Sequence, residues 1–394
     1  MLCGVYLFAM VLSMEFLLSI SMITMGVLVT FRYGTGAGIR VRKTLGETWR
    51  TYRRRPLIWW IAIPFLLVVL TLPYTTDLNF VLERLRIKAP FALLPLIFLA
   101  GPDWRRSNVR NVLVFFVALL SLTALGVGIN YVLHWEVITE QIGRGKPMPT
   151  PSNHIRFSLT VALAVLAGLA LSWTERKWWL AGMTAFLFGF AHLLAVRSGL
   201  LALYLGLTII ILGYAWQHRN WKLGLGFLLG VAVLPLLAYQ FVPSLQRKID
   251  YAIWDYKQYQ QNIGGDYSDS ERLISLEIGW EIFRDHPVLG VGAGDLKRVV
   301  KQRYARRFPN ERYSPRMPHN QLLTVLAGTG ILGLLLFLIG FFYPLVYRRN
   351  LLFSAFYLLI FCSFWMENTL ENNYGISLYL FFLMMALRYF KSAD

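Results

Sequence analysis

The stretch RYSPRMPHNQLLTVLAGTGILG, residues 312–333, joins a basic, proline-broken polar segment to a long apolar run. His319 stands where the polar segment ends, and the apolar run continues to about residue 346. A helix of this length can cross roughly 30 Å of hydrocarbon, because each helical residue adds about 1.5 Å. The stretch therefore predicts a transmembrane helix with cations and a titratable ring at its mouth. Burying such groups costs free energy, so some partner should compensate them.

Similar apolar runs occupy most of the chain, which is 56% hydrophobic and only 15% charged over 394 residues. Ordinary soluble proteins carry about 25% charged residues. We predict an all-α, polytopic integral membrane protein, since the runs are long enough to span a bilayer. They lie at about 57–73, 90–101, 109–133, 155–173, 178–195, 198–216, 222–242, 319–346, 350–366 and 373–390.

The N-terminal run, residues 2–31, is long for a single span and contains Ser13 and Glu15 near its middle. Two short, tilted or re-entrant segments with a break near these two residues fit the pattern better. The run lacks a basic region before it and a convincing cleavage site, so we expect it to be retained rather than removed as a signal peptide.

Basic loops predict the topology. The segment 32–56 is rich in arginine, and the short loops DWRRSNVR, TERKWW, QHRNWK and YRRN and the tail RYFKSAD are also basic. All of them fall on one side of the membrane if each run crosses once, as the positive-inside rule expects of cytoplasmic loops. This predicts about twelve transmembrane helices with both termini in the cytoplasm. The net charge of +18 is then explained by these loops rather than by binding of nucleic acid.

The same topology divides the chain into three segments. Residues 1–242 would hold transmembrane helices 1 to 9 with short loops, residues 243–318 one long periplasmic loop, and residues 319–394 helices 10 to 12. The first half of the long loop has apolar residues at helical spacing and a Gly-Gly break, which predicts amphipathic helices on the bilayer surface. The two cysteines, Cys3 and Cys362, lie in separate apolar runs and predict no disulfide framework.

The second half of the long loop carries a cluster of cations on the side where the positive-inside rule does not expect them. Arginine suits phosphate oxygens because its planar, forked guanidinium group can donate two parallel hydrogen bonds to them. A solvated surface is the alternative interpretation. Gly290, Gly292 and Gly294 precede the cluster and are candidates for a backbone cradle that binds an anion. The cations are Lys297, Arg298, Lys301, Arg303, Arg306, Arg307, Arg312 and Arg316.

Several other residues at the outer ends of the runs are candidates for a site. His319 could act as a general base, although a histidine at a helix start is more often an interfacial anchor. Arg197 lies between two apolar runs, where charges usually line a cavity or a substrate path unless they reach the interface. Several other charged or titratable residues are predicted to lie on the same outer side of the membrane. They are Arg156 with His154, the cations Arg84, Arg86 and Lys88, and the acids Glu367 and Glu371.

His192, which shares a run with Arg197, is expected to be packed or hydrogen-bonded inside the bundle. The sequence shows no metal-ligand spacing, no nucleotide-sugar motif and no dinucleotide or P-loop fingerprint. We therefore expect neither a metal nor another cofactor.

Three motifs resemble the O-antigen ligase and polymerase superfamily: HPVLGVGAGDLKR (residues 286–298), HNQLLTVLAGTGILG (residues 319–333) and VRSGLLAL (residues 196–203). The resemblance implies a GT-C-like membrane glycosyltransferase of the bacterial inner membrane, with its active site facing the periplasm. Within the superfamily, polymerases typically have two sizeable periplasmic loops, and protein O-oligosaccharyltransferases an additional C-terminal region. The segment at 196–198 is short enough for only a turn, which favours the ligase.

The resemblance also implies substrates and roles. The donor would be O-antigen on undecaprenyl pyrophosphate, and the acceptor would be lipid A–core, both held in the membrane lipid. His319 and Arg197 would be catalytic, with His319 accepting the proton of the acceptor hydroxyl in an inverting reaction that needs no metal. Arginines would bind the pyrophosphate, namely Arg197, Arg156, Arg303, Arg306, Arg307 and Arg316.

Two other classes stay open. A transporter of a lipid-linked anion would show inverted repeats or broken helices in mid-membrane. A SEDS-type peptidoglycan polymerase would depend on an acidic residue in the long loop, and Asp295 is the candidate for that role.

Overall fold

The computed structural model of the protein describes residues 2–34, 38–41, 50, 53–100, 105–260, 268–309, 314–347 and 350–389. Much of the basic segment after residue 34, the Gly-Gly break of the long loop, and Arg312 lie outside these residues.

The described chain is almost entirely helical, which confirms the all-α prediction. The first helices are α1 Leu2–Val11, α2 Glu15–Thr30, α3 Pro56–Leu70, α4 Leu78–Ala100, α5 Arg106–Leu133, α6 Trp135–Gly143, α7 His154–Glu175 and α8 Trp178–Leu194. They are followed by α9 Arg197–Gln217, α10 Trp221–Phe241, α11 Pro243–Gln260, α12 Ser268–Asp285, α13 Leu296–Arg307, α14 Gln321–Tyr347, α15 Leu351–Met366 and α16 Asn373–Tyr389. Two short strands, β1 Phe31–Gly34 and β2 Gly38–Val41, pair as an antiparallel hairpin within the basic segment.

Within the described residues, six helical stretches could cross a membrane by length and composition: Pro56–Tyr74, Ser107–Leu133, His154–Glu175, Arg197–Gln217, Trp221–Phe241 and Gln321–Tyr347. Shorter apolar helices are Leu2–Val11, Glu15–Leu28, Trp178–Leu194, Leu351–Met366 and Asn373–Leu387. The chain is therefore a multi-pass membrane protein, whereas the number of crossings and their orientation stay predictions.

The N-terminal run is broken where the sequence predicted. Helix α1 ends at Val11, and Ser13 adopts a left-handed conformation with φ of 57° before α2 begins at Glu15. A non-glycine residue at positive φ is unfavourable in a helix, so the two segments cannot merge into one.

Helix α4 differs from the sequence prediction, which placed an apolar run at about 90–101 and left Arg84, Arg86 and Lys88 outside it. The helix instead begins at Leu78 and continues through Pro90 and Pro95. It includes Lys88, which is 4% exposed. Lys88 can be buried within this helix because a carboxylate from the turn before α16 neutralises it, as described below.

The chain forms two compact units. One unit comprises residues 1–109, 274–348 and 367–394, and the other comprises residues 110–273 and 349–366. The three-segment division predicted from the topology follows the membrane loops and stays a prediction.

In the second unit, α9 packs closely against α7 and α15. A Cβ added at Gly199 would lie 2.4 Å from Ser158 Oγ, and one at Gly213 would lie 2.3 Å from a methyl group of Leu351. Small residues let membrane helices approach each other in this way. The close packing fixes the start of α9, where Arg197 lies.

In the first unit, α14 is broken at Gly330, whose φ is 65° and ψ is −170°. The segment before α13 docks into the break. Val291 N donates to Ala327 O at 3.1 Å and Gly292 N to Gly328 O at 2.9 Å, while Ile331 N donates back to Pro287 O at 2.9 Å. Loop and helix thus satisfy each other's backbone groups, and glycine is required at position 330 because a Cβ would lie 2.1 Å from Val288 O.

Candidate functional site

Arg197 is held at the first position of α9 by a tight turn. Helix α8 ends at Leu194, and Ala195 takes a left-handed conformation with φ of 52°, so only two residues separate the helices. The Nη2 atom of Arg197 donates to both carboxylate oxygens of Asp269, at 2.9 and 2.6 Å. The Arg197 side chain is still 53% exposed, so part of the guanidinium remains accessible.

Arg272 approaches the same carboxylate. Its Nη1 lies 3.8 Å from Asp269 Oδ1, one helical turn further along α12. Two guanidinium groups thus share one acid, and we call Arg197, Arg272 and Asp269 the arginine cluster. An anion with more charge than a single carboxylate could compete for these two cations.

The start of α12 is fixed on α11 by a buried acid. Asp255 is 0% exposed and accepts hydrogen bonds from Asp269 N at 2.9 Å and from Ser270 Oγ at 2.5 Å. The first of these bonds satisfies a backbone N–H that a helix start otherwise leaves unpaired. Both bonds also fix the backbone of Asp269 and, with it, the position of the carboxylate that Arg197 and Arg272 share.

A third cation lies beside the cluster. Lys248 Nζ donates to Leu194 O at 3.1 Å, and Ser244 Oγ donates to Leu193 O at 2.9 Å. Burial, assisted by the nearby charge of Arg197, lowers the pKa of Lys248 to about 8. The lysine therefore titrates closer to neutrality than a lysine in water would.

His319 lies beside a carboxylate in the first unit. Its Nδ1 is 3.4 Å from Glu367 Oε1, and its backbone N donates to Ser275 Oγ at 3.2 Å. The Nδ1 atom is buried without a hydrogen-bond partner, whereas the side chain as a whole is 20% exposed. A ring that gains a proton here would therefore have an anion in place to stabilise it.

A buried hydrogen-bond network connects this histidine to the turn before α16. Gln321 follows His319 by two residues, and its Nε2 donates to Glu371 Oε1 at 2.8 Å while its Oε1 accepts from Leu370 N at 2.7 Å. Lys88 Nζ donates to Glu371 Oε1 and to Leu370 O, both at 2.6 Å. The network fixes the turn, which carries Glu367, against the start of α14.

The network also determines the charge of Glu371. Burial alone would raise the pKa of this carboxyl, but Lys88 and Arg84 outweigh burial and hold the pKa below its usual value. A depressed pKa means that the ionised carboxylate stabilises the folded protein. This contribution is present at neutral pH and is lost as pH falls through the lowered pKa.

Replacement of Lys88 with methionine is expected to destabilise the protein by about 3–5 kcal/mol, because it leaves the buried carboxylate of Glu371 without its main cation. Unfolding in detergent measures the loss. The double variant Lys88→Met/Glu371→Met should recover at least about half of it, since no unpaired charge then remains. A single variant as stable as the wild type would contradict the assigned pairing.

The arginine cluster and His319 all lie in one continuous part of the sequence. Residues 182–338 match the O-antigen ligase family model. The match confirms the resemblance drawn from the sequence motifs. It supports a ligase- or polymerase-type function in the O-antigen pathway, and the family is linked to glycosyl transfer. The family implies lipid-linked polysaccharide and lipid A–core as general partners. No curated protein matches the chain.

The other arginines that were predicted to bind the pyrophosphate lie in different environments. Arg303 is paired with Asp285, and Arg307 with Glu277 and Glu281, so both connect α13 to α12. The side chains of Arg306 and Arg316 are exposed. Arg156 lies in the first turn of α7 with its Nε buried and unpaired. Binding of phosphate by these residues stays a prediction, and Arg303 and Arg307 would first have to leave their carboxylates.

The glycine-rich segment does not form the anion cradle that the sequence indicated. The N–H groups of Val291 and Gly292 donate to carbonyls of α14, as described above, and are not available to an anion. The positive φ values of Gly290 and Gly292, 66° and 91°, serve this docking instead. His192 is hydrogen-bonded inside the bundle as predicted, through Nδ1 to Phe188 O at 2.8 Å and Nε2 to Tyr204 Oη at 2.7 Å.

Asp295, the candidate acid of the SEDS-type alternative, is held by hydrogen bonds that connect two helices. Its carboxylate accepts from Thr76 Oγ1 at 2.6 Å, Thr76 N at 2.8 Å and Asp77 N at 3.1 Å, and it lies 3.2 Å from Arg298. Burial would raise its pKa, but these partners outweigh burial and lower it. The carboxylate therefore joins the start of α13 to the start of α4, and its oxygens are occupied.

Asp295→Asn is accordingly expected to destabilise the fold by about 1–3 kcal/mol while the folded protein keeps its turnover. Unfolding in detergent and glycan transfer per folded molecule measure the two effects separately. A variant of unchanged stability that loses at least about 100-fold in turnover would instead identify Asp295 as a catalytic acid or base.

Proposed function

We propose that the chain is an O-antigen ligase of the bacterial inner membrane. It transfers O-antigen from undecaprenyl pyrophosphate to the lipid A–core oligosaccharide at the periplasmic face, and both of its termini lie in the cytoplasm. The arginine cluster carries the proposal. Within the region that matches the family, Arg197 and Arg272 share a single carboxylate, and Arg197 is half-exposed.

The arginine cluster suits a pyrophosphate leaving group. When the glycan leaves its carrier, negative charge develops on the phosphate oxygen that held the sugar. Guanidinium groups already in place stabilise this charge, and such stabilisation is often the largest catalytic contribution. A pyrophosphate has more charge than the Asp269 carboxylate, so it can displace Asp269 from Arg197 and Arg272 and form charge-assisted hydrogen bonds with both.

His319 is the proposed general base. The acceptor hydroxyl oxygen forms a bond to the anomeric carbon, and its proton passes to His319. The bond from the anomeric carbon to the phosphate oxygen breaks, and pyrophosphate leaves with the electron pair, which inverts the anomeric centre. Glu367, 3.4 Å from the ring, would stabilise the imidazolium. The donor is activated by its phosphate and the arginines meet the developing charge, so the proposed reaction requires no metal.

The other functions considered gain less support. A polymerase would be expected to have a second sizeable outer loop, and the connection from α8 to α9 consists of Ala195 and Val196 alone. A transporter would use broken helices whose free backbone groups bind the substrate. Helix α14 is broken at Gly330, but the segment at Pro287–Gly292 takes up the backbone groups of the break.

Deletion of the gene in its host tests the ligase assignment against the polymerase. A lipopolysaccharide gel and an assay of carrier-linked glycan are run together. A ligase mutant should have lipid A–core without O-antigen while long glycan persists on the polyprenyl carrier. Core capped by a single repeat unit would identify the protein as the polymerase instead.

A further inference from the structure

An apolar groove of about 560 Å³ separates α5 from α8 in the second unit. Its lining is apolar throughout and includes Leu125, Gly128 and Ile129 of α5, and Phe186, Gly189 and Leu193 of α8. Leu125, Ile129 and Phe186 are between 41% and 50% exposed, so the groove is open.

Two glycines keep the groove wide. A Cβ added at Gly128 or at Gly189 would meet no atom within 4 Å. These two glycines therefore do not lie at a close helix–helix contact. Such contacts are the usual reason for glycine in a membrane helix. The missing side chains leave space instead, over about 12 Å of helix between Leu125 and Leu133.

The groove leads to cations. Leu193 lines one end of it and is followed by Leu194, whose carbonyl accepts from Lys248 at 3.1 Å. Arg197 comes three residues later and belongs to the arginine cluster. An apolar groove whose lining helix ends at the contact with Lys248, three residues before Arg197, is complementary in both shape and charge to an amphiphile with a long apolar chain and an anionic head.

We propose that this groove binds the isoprenoid chain of the donor, next to the pyrophosphate that the arginine cluster holds. The assignment rests on the proposed function and adds the location of the lipid chain. Binding in the groove would align the carrier along α8 and restrict how the pyrophosphate meets Arg197. The gain in donor affinity is moderate because the bilayer is itself apolar. The affinity therefore comes from packing and orientation of the isoprenoid chain rather than from removal of water.

The chain offers a matched pair of variants as a test. Gly128→Leu/Gly189→Leu fills the groove. Gly126→Leu/Gly182→Leu makes the same change on the same two helices, at glycines that are equally open but do not line the groove. Reconstituted protein is assayed with two donors, one with the undecaprenyl chain and one with a butyl group in its place.

The groove-filling variant should raise KM for the undecaprenyl donor about tenfold and change KM for the butyl donor less than about twofold. The matched control should change neither KM by more than about twofold. An unchanged undecaprenyl KM would overturn the proposal, because ordinary bilayer lipid would then be the occupant. Equal rises for both donors would overturn it too, since they would indicate a distorted bundle.

A second measurement does not depend on turnover. Undecaprenyl pyrophosphate with a photoreactive group near its head should crosslink to α5 or α8 in the wild type and in the matched control, but not in the groove-filling variant. Crosslinking of all three to other helices would overturn the groove assignment. Absence of glycan transfer by the wild type, with crosslinking intact, would overturn the ligase function and leave the groove assignment standing.

Discussion

His319→Ala is expected to lower the rate of glycan transfer by at least about 100-fold, because a positioned general base typically contributes 10²–10⁴-fold. The loss should appear in kcat, since the ring acts on the acceptor proton in the transition state rather than on donor binding. Reconstituted enzyme with purified donor and lipid A–core measures it directly. In cells, the variant should give lipopolysaccharide without O-antigen.

His134→Ala is the matched control. His134 is an exposed histidine between α5 and α6, and its Nδ1 lies 3.1 Å from Asn130 O. Its loss should leave transfer unchanged. Full activity of His319→Ala, with normal expression, would eliminate the general-base role. His319 would then be only an interfacial residue held by Ser275.

Arg197→Ala is expected to reduce kcat by about 100- to 1,000-fold, which is the usual effect of removing one group that stabilises developing negative charge. Arg197→Lys should lie between alanine and the wild type, because it keeps the charge but loses the planar fork. Arg272→Ala should reduce kcat to a similar extent as Arg197→Ala, since both guanidinium groups are proposed to bind the same pyrophosphate. Steady-state kinetics with the undecaprenyl donor measures all three.

Arg144→Ala controls for the loss of an ion-paired arginine. Arg144 pairs with Glu140 one turn away, and its side chain is 73% exposed. Such surface pairs contribute at most about 1 kcal/mol, so activity should not change. Wild-type activity of Arg197→Lys and Arg197→Ala together would show that Arg197 merely reaches the membrane interface.

The helices could be predicted from the sequence because each depends on its own composition. Apolar runs, and the break at Ser13, gave most helices to within a few residues. The first half of helix α4 was missed because the polar segment that contains Lys88 resembles a loop until Glu371 is placed beside it. The strands β1 and β2 were missed because a short hairpin among arginines has little local pattern.

The site was predicted one residue at a time. His319 and Arg197 could be proposed because titratable or charged groups beside apolar helices are rare. Their partners could not, since Glu367 lies 48 positions after His319 and Asp269 lies 72 positions after Arg197 in the sequence. The one local signal was the spacing of Asp269 and Arg272, which places them on one face of α12. The acidic turn ENTLE before α16 could be recognised in the sequence, but its residues do not indicate Lys88 or Gln321 as partners.

The break in α14 has a consequence for how the protein is made. A bent helix in hydrocarbon has backbone groups that lipid cannot satisfy. Their partners, in the segment at Pro287–Gly292, precede the helix in the chain and so leave the ribosome first. Membrane insertion of α14 should thus be completed by a segment that has already been synthesised. Variants that weaken the contact between Gly290 and Gly328 would then fail during biogenesis, and they would be removed by quality control before any catalytic defect could be seen.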